Sequence, residues 1–440
     1  MARLLSIFVA LVFSSHAVAE TWSQFRGPNG DGKVDGQNVP INFSESKNVT
    51  WKTKLPGRAW SSPVIADGFI WATTAIEVFP SDEEKIEIMI KQGIEEKKFK
   101  QLQVAKRIDL KLLKIDLQSG ELKTTIDLTS IDAPDAIHSL NSYASPTPAI
   151  DGDKIYCHFG TYGTFCIDRA TGKQSWTRKL PLVHSVGPGS SPFIYDDMLI
   201  LIQDGVERQY VTALNKASGE TIWEKDRPEM DAPTGDMKKA YSTPIAVKDK
   251  LGREQLICMA SQWMIAYEPK TGNEIWKVRH GKGFSVVPRP VYNDGVVYFS
   301  TGFGKPELWA VSVDGSGDVT DTHVQWQVIK GISKKPSPLV HDGLIYVVED
   351  NGVASCFEAK SGDQVWKKRI GGNYSASPLM AGGYIYVGSH EGDVIVLKPG
   401  TDGKVVAENK IDGQIMASPA VTDNALIIRT AEAMYRIEDK

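Results

Sequence analysis

The chain has 440 residues, and its 54 acidic against 50 basic side chains leave a formal charge of −4. That balance gives no reason to expect nucleic acid as a partner. Length alone allows two or three domains, but an internal repeat argues for one.

Met1 to Ala19 opens with Arg3, continues with the apolar stretch Leu4 to Phe13, and ends in the small residues Ala17-Val18-Ala19. This is the pattern of a secretory signal peptide, with the mature chain expected from Glu20. The apolar run is too short to span a bilayer and no spanning run follows, so the expectation is an exported product, periplasmic or secreted. No cysteine stands near the cleavage position, which argues against a lipid anchor of the bacterial lipoprotein type. Residues 20–47 read as an N-terminal extension and 48–440 as one domain.

A small or polar residue followed by proline then opens a short apolar run eight times, at Pro63, Pro146, Pro192, Pro244, Pro290, Pro338, Pro378 and Pro419. The spacings are 83, 46, 52, 46, 48, 40 and 41 residues. A period of about 40 to 50 residues is the mark of stacked units that cannot bury their apolar faces alone. The unit Ser377 to Ile411 shows the pattern best: a first strand after Ser-Pro, a turn at Ala381-Gly382-Gly383, alternation in Tyr384 to Ser389, then strands at Asp393 to Lys398 and Val405 to Ile411. Asp-Gly and related pairs recur at the first turn, residue types that tolerate positive φ. Trp176, Trp223, Trp276 and Trp366 follow the glycine of the later turn by four residues, and Trp326 holds the matching place. Four antiparallel strands in each of eight units predict an all-β, eight-bladed β-propeller. The last unit lacks a fourth strand, whereas Asn48 to Lys54 carries Trp51 in a fourth-strand setting. The N-terminal strand is therefore expected to close the ring and remove an open edge.

Ile76 to Arg107 interrupts the first unit. Ser81 to Glu84 has the form of a capping box, and Ile86, Ile90, Ile94, Phe99 and Leu102 follow at helical spacing. A helix, bent or broken near Gly93, is expected on the face that carries the inter-blade loops, either as a lid or docking surface or as a solvated decoration. The same loops bring Arg58, His138, His184, Lys238, Lys239, Arg289, Lys334 and Lys335 close to the prolines, with Asn141, Tyr143, Tyr241, Asn373 and Tyr374 beside them. Such a basic rim would focus potential on an anionic ligand. Asp314, Asp318 and Asp321 form a weak calcium candidate, against the simpler reading of a strand-joining turn. Cys157 and Cys166 lie on one hairpin, so a cross-strand disulfide stands beside the alternative of four free thiols. No nucleophile elbow, C-x-x-C or H-E-x-x-H motif occurs.

The Ser-Pro openings, the Asp-Gly turns and the endings Cys166-Ile167-Asp168 to Trp176 and Ala266-Tyr267-Glu268 to Trp276 resemble the pyrroloquinoline quinone (PQQ)-type propeller repeat, over Trp51 to Glu438. Trp22-Ser23-Gln24-Phe25-Arg26-Gly27-Pro28 and Asn141 to Pro146 are similar to stretches of exported bacterial propellers. The resemblance implies two contrasting models. Quinoprotein alcohol dehydrogenases hold PQQ over calcium with an adjacent cysteine pair, which this chain lacks; the propeller lipoprotein of the outer-membrane barrel-assembly machinery is a cofactor-free scaffold. The expectation is a monomeric, cofactor-free propeller that binds a protein partner or an anionic glycan, with PQQ-dependent alcohol oxidation as the alternative.

Overall fold

The computed structural model describes residues 22–36 and 38–439, so the signal peptide read in residues 1–19 lies outside the described part. Eight sheets of four or five strands form the blades of a propeller. Their first strands are Val64–Ala66, Ala149–Asp151, Phe193–Tyr195, Ile245–Lys248, Val291–Asn293, Leu339–His341, Leu379–Ala381 and Ala420–Thr422, defining blades 1 to 8 in chain order. Within a blade each strand pairs antiparallel with the next, and the hairpins follow from local chemistry. At Asp342-Gly343 both residues have positive φ, +46° and +73°. That geometry matches the twist of the flanking strands and suits Asp followed by Gly. Among the described residues no helix is long and apolar enough to cross a membrane.

Closure of the ring is as the sequence implies. Val49–Lys54 is the outermost strand of blade 8, antiparallel to Ala433–Ile437. Trp51 then does what the other outer-strand tryptophans do. Its indole N–H donates to the Leu117 carbonyl of blade 1 at 3.1 Å, and the ring covers Gly120, where a Cβ would fall 2.5 Å from Trp51 Cδ2. Trp176, Trp223, Trp326 and Trp366 reach the Lys216, Pro269, Ala359 and Gly400 carbonyls of the following blades in the same way. The tryptophan-glycine period is thus a coupling between neighbouring blades, an apolar plate with one polar handle. Trp276 departs from it: its indole bonds Gln255 Oε1 within blade 4, and Gly317–Asp318 from the long loop of blade 5 adds a fifth strand on the same edge.

Register moves one of the eight repeat prolines. The first strand of blade 2 starts after Thr147-Pro148, so Pro148, and not Pro146, is the equivalent position. With that shift a belt appears around the axis. Backbone N–H of Ser62 donates to Thr147 Oγ1, Thr147 to Ser191 Oγ, and Ser191 to Thr243 Oγ1. Farther round, Arg289 donates to Ser337 Oγ, Ser337 to Ser377 Oγ, and Ser377 to Ser418 Oγ. The repeated hydroxyl therefore satisfies an inner-strand N–H that faces the channel, where no further strand is available.

Residues 22–34 cross the face opposite the inter-blade loops, whereas residues 41–45 lie along the outer strand of blade 7 and reach Asp412 in the loop before blade 8. The Trp22 and Ser23 carbonyls accept from Ile65 and Ile150, and Val34 N–H bonds the Met380 carbonyl. This segment shuts one end of the channel.

The insertion in blade 1 is not one bent helix running to Leu102. Strands Phe69–Val78 and Arg107–Asp116 extend beyond the blade, and between them lie an α-helix, Asp82–Lys91, a 3-10 turn, Glu96–Gln101, and a short strand, Leu102–Gln103. The capping box is present, with Glu84 N–H on Ser81 Oγ and Glu84 Oε2 accepting from Ser81 N–H. Its buried contact is Met89, packed with Leu102, Val104 and Ala136, whereas Ile86 and Ile90 point to solvent. Helical spacing alone does not say which face is packed, and the buried place falls to Met89, one residue before Ile90.

Two alternatives that the sequence left open find no support in the geometry. Cys157 pairs across the hairpin with Phe165, and Cys166 with Tyr156. Adjacent positions point to opposite faces of a sheet, so the two sulfurs enter different clusters and all four cysteines are free and buried. Asp318 Oδ1 is taken by the backbone and hydroxyl of Thr320, and Asp314 faces His323 at 3.8 Å. Among the described residues no three His, Cys, Asp or Glu side chains converge as metal ligands.

Candidate functional site

The free end of the channel is a cavity of about 870 Å³ on the inter-blade-loop face. Its floor is the hydroxyl belt, with Ser62, Thr147, Ser191, Thr243, Ser337, Ser377 and Ser418 around Phe25 of the crossing segment. The walls are largely apolar, from Trp60, Leu140, Val186, Phe284, Phe303 and Met416. Gln92 to Leu102 of the insertion form part of the mouth.

The insertion is held there by directional bonds. Gln92 Nε2 donates to the Pro134 carbonyl and Gln92 Oε1 accepts from Ala136 N–H. Leu102–Gln103 pairs with Ile137–His138, and Lys98 reaches Asp236 at 3.5 Å. These contacts place the insertion at the mouth of the cavity. Its outer side exposes Val78, Phe79, Ile86 and Ile90, all between 45% and 60% accessible.

Of the rim residues read from the sequence, His138, Asn141, Lys239, Tyr241, Lys334 and Lys335 line the cavity. Asn141 is occupied structurally, donating to the Val186 and Pro188 carbonyls. Lys239 is buried, bonding Asp236 Oδ1 at 2.8 Å, Ser185 Oγ at 2.6 Å and the His184 carbonyl at 2.6 Å. Burial lowers its ammonium pKa, and the neighbouring Asp236 offsets only part of that. Burial, then the charge of Lys335, also lowers His138. The Tyr241 hydroxyl is buried without a partner, and desolvation pushes it well above its usual range.

The other seven do not line it. Arg58 forms a two-pronged pair with Glu77, both bonds 3.0 Å. Tyr143 is buried and donates to the Asp135 carbonyl. His184 is buried with Nε2 accepting from Thr161 N–H. Lys238 sits in the 3-10 turn Gly235–Lys238, and Asn373 is tied to Glu391 at 2.8 Å. Tyr374 is wholly buried, and Arg289 lies within the floor.

The cationic rim is also balanced by carboxylates. Lys98, Lys239, Lys334 and Lys335 stand among Glu95, Asp135, Asp236 and Asp350. Lys335 pairs with Asp350 at 3.3 Å. Counting basic residues near the prolines misses Asp350 because it lies in the turn after strand Leu344–Val348, 16 positions downstream of Lys334, whose N–H it accepts.

Sequence reasoning passed over the floor and the insertion's contribution. The signal for the floor is present as Ser or Thr before most repeat prolines, where it reads equally as a plain strand opener. Phe25 lay inside a quoted motif whose role becomes plain here. In Trp22 to Pro28, Trp22 is buried against Gly27, where a Cβ would fall 2.9 Å from the indole. Arg26 is buried with Nη1 on the Pro338 carbonyl.

A PQQ-calcium centre does not fit this cavity. Its floor offers hydroxyls and a phenyl ring, no acidic ligand trio converges among the described residues, and the cysteines are dispersed and buried. Burial pushes the Cys258 and Cys356 thiols up to about 12, away from reactive thiolates.

A family model described as outer membrane protein assembly factor BamB matches residues 82–224, 115–368, 307–401 and 350–439. The BamB of Burkholderia pseudomallei (strain K96243) is 34% identical over 116 residues, 26% of this chain and 30% of that protein. Tetrathionate hydrolase of Acidithiobacillus ferrooxidans is 24% identical over 251 residues, 55% of this chain and 48% of that protein. The chain thus matches between 30% and 48% of the length of these two relatives. Among solved structures, a europium-containing methanol dehydrogenase superposes with a TM-score of 0.65 at 11% identity, covering 94% of this chain and 90% of that one. At that identity the likeness concerns the fold.

Proposed function

The chain belongs to the family described as outer membrane protein assembly factor BamB, and from that membership we propose an exported, non-catalytic propeller that binds a protein partner through its inter-blade-loop face. The observation that carries this reading is the insertion. The capped helix, fixed at the cavity mouth by side-chain and strand pairing, exposes Ile86 and Ile90, and the strand end and loop that lead into it expose Val78 and Phe79. Apolar side chains held outward on an ordered element suit protein contact. The balanced charges of the rim give less support to an anionic glycan at the same place.

Photo-crosslinkable residues at Ile86 and Ile90, compared with one at exposed Leu251 in a turn of blade 4, test the proposal in the producing cell. Discrete adducts at the insertion and none at Leu251 are expected. Absence of adducts at both insertion sites overturns it. Thermal melting with PQQ plus calcium separates the enzymatic alternative: no shift is expected, and a calcium-dependent rise at a hundredfold excess over Kd, worth about 2.7 kcal/mol, would favour a dehydrogenase.

A further inference from the structure

The cavity floor carries a chemistry that protein docking at the mouth does not use. Arg26, Arg289 and Arg429 are each about 1% exposed, and none has a side-chain carboxylate as hydrogen-bond partner. All three bond carbonyls at or beside the belt. Arg26 Nη1 donates to Pro338 O at 2.9 Å, Arg289 Nη2 to Pro244 O at 2.8 Å, and Arg429 Nη1 to Ser61 O at 3.2 Å and Ser61 Oγ at 2.7 Å. The nearest acid in this group, Asp31, is shared with Lys33 at 3.5 Å. Nε of Arg26 and of Arg429 is buried without a partner. Burial lowers these guanidiniums to about 10, 9 and 9, with the charge of Arg26 lowering Arg289 further and Asp31 offsetting part of the effect on those two.

In front of them stand the belt hydroxyls. Those of Thr147, Ser191, Thr243 and Ser418 each accept one backbone N–H, and among the described residues none donates to a protein acceptor. A hydroxyl that has accepted keeps its own proton to give. The floor therefore presents convergent O–H donors backed by buried cations, under walls that are apolar.

We propose that the floor binds the oxyanion head of a small amphiphile, a carboxylate, sulfate or phosphate, with the apolar body lying against Trp60, Phe284 and Phe303. Three buried guanidiniums with only Asp31, itself shared with Lys33, beside them favour an anion over a neutral polyol, because a low-dielectric surround strengthens the attraction. The site needs no protein partner and stands or falls apart from the docking face.

Titration calorimetry at constant ionic strength, on the mature chain, compares octanoate with octanol, which share a body and differ in the head. Saturable octanoate binding, at least about tenfold tighter than octanol, is expected, the ratio that about 1.4 kcal/mol confers. Thr147→Val with Thr243→Val should weaken octanoate by about tenfold or more while leaving octanol unchanged. Ser418→Ala provides a second test should the double variant fold poorly. Equal binding of octanol, preferential binding of neutral maltotriose, or no octanoate binding overturns the proposal. Loss of octanoate binding in Lys334→Gln with Lys335→Gln, with the belt variants unaffected, would assign the anion to the rim and overturn it equally. Binding only to phosphatidylglycerol vesicles, with none to octanoate, would assign a membrane surface in its place.

Discussion

The floor and the mouth of the cavity face one another but are built by different means. The floor is a product of repetition, one hydroxyl per blade at the residue before the proline, interrupted once where Arg289 replaces it. It is completed by Phe25 from a segment that crosses the channel. The mouth is a product of exceptions: one insertion, one buried Lys239 paired with a partly exposed Asp236, and loops whose charges cancel in place. Repetition gives the floor a set of equivalent donors, while the exceptions make the mouth individual. A general chemical preference is accordingly expected from the floor, and selectivity for one partner from the mouth.

Acid should separate them most strongly. His158, His184 and His280 lie at strand ends or loops on the mouth side and are at most 8% exposed. Burial lowers them to about 4, 3 and 4, with His158 and Lys239 adding to the effect on His184. Their folded values lie below the unfolded value of 6.5. The stability they contribute is thus present above about pH 6.5 and lost as pH falls through the folded values. The slope approaches about 1.4 kcal/mol per pH unit for each histidine. Guanidinium unfolding midpoints should fall between pH 7 and 4. Hydrogen exchange at pH 5 should show the mouth loops opening ahead of the belt amides; simultaneous opening would mean that the two regions are one cooperative unit.

The floor should yield first to loss of its crossing segment. Trp22 is 2% exposed, and its carbonyl bonds Ile65 in blade 1. Trp22→Ala is expected to cost about 3–5 kcal/mol in a urea titration. A loss under about 1 kcal/mol would show that the crossing segment, residues 22–34, rests on the ring without supporting it. Thr243→Val removes a single link, leaving Ser191 N–H without its acceptor, and should cost about 1–3 kcal/mol. Faster exchange at the Ser191 amide, with the insertion unchanged, would locate that cost in the belt.

The same division decides what could be read from the sequence. The eight blades, the closing strand and the inter-blade tryptophans were legible because each rests on a period, and a period survives errors at single positions. Pro146 was such an error, and the count of eight was unaffected by it. The cavity was legible only in part. His138, Asn141, Lys239, Tyr241, Lys334 and Lys335, picked by their distance from the prolines, line the cavity. Arg58 and Asn373 do not, because they are drawn to Glu77 and Glu391, 19 and 18 residues away. Arg289 was noticed as a rim cation, whereas its side chain turns back to the Phe25 carbonyl, 264 residues upstream. Pairings of that range leave no trace in local composition.

The smallest expected effect tests whether the insertion is energetically separate from the ring. Ser81 caps the helix with one accepted N–H, and Glu84 returns the bond. Ser81→Ala should therefore cost about 1 kcal/mol. The helix touches the rest of the chain mainly through Met89 and Gln92, so this cost should fall on local opening rather than on global unfolding. The melting temperature is expected to stay within about 2 °C, as scales for a chain of this size imply, while amides of residues 82–91 exchange several-fold faster. Crosslinking at Ile86 and Ile90 should fall in proportion, since a frayed helix no longer holds both side chains outward together. A drop in melting temperature large enough to match Trp22→Ala would contradict the separation, and would make the mouth a part of the propeller's own stability.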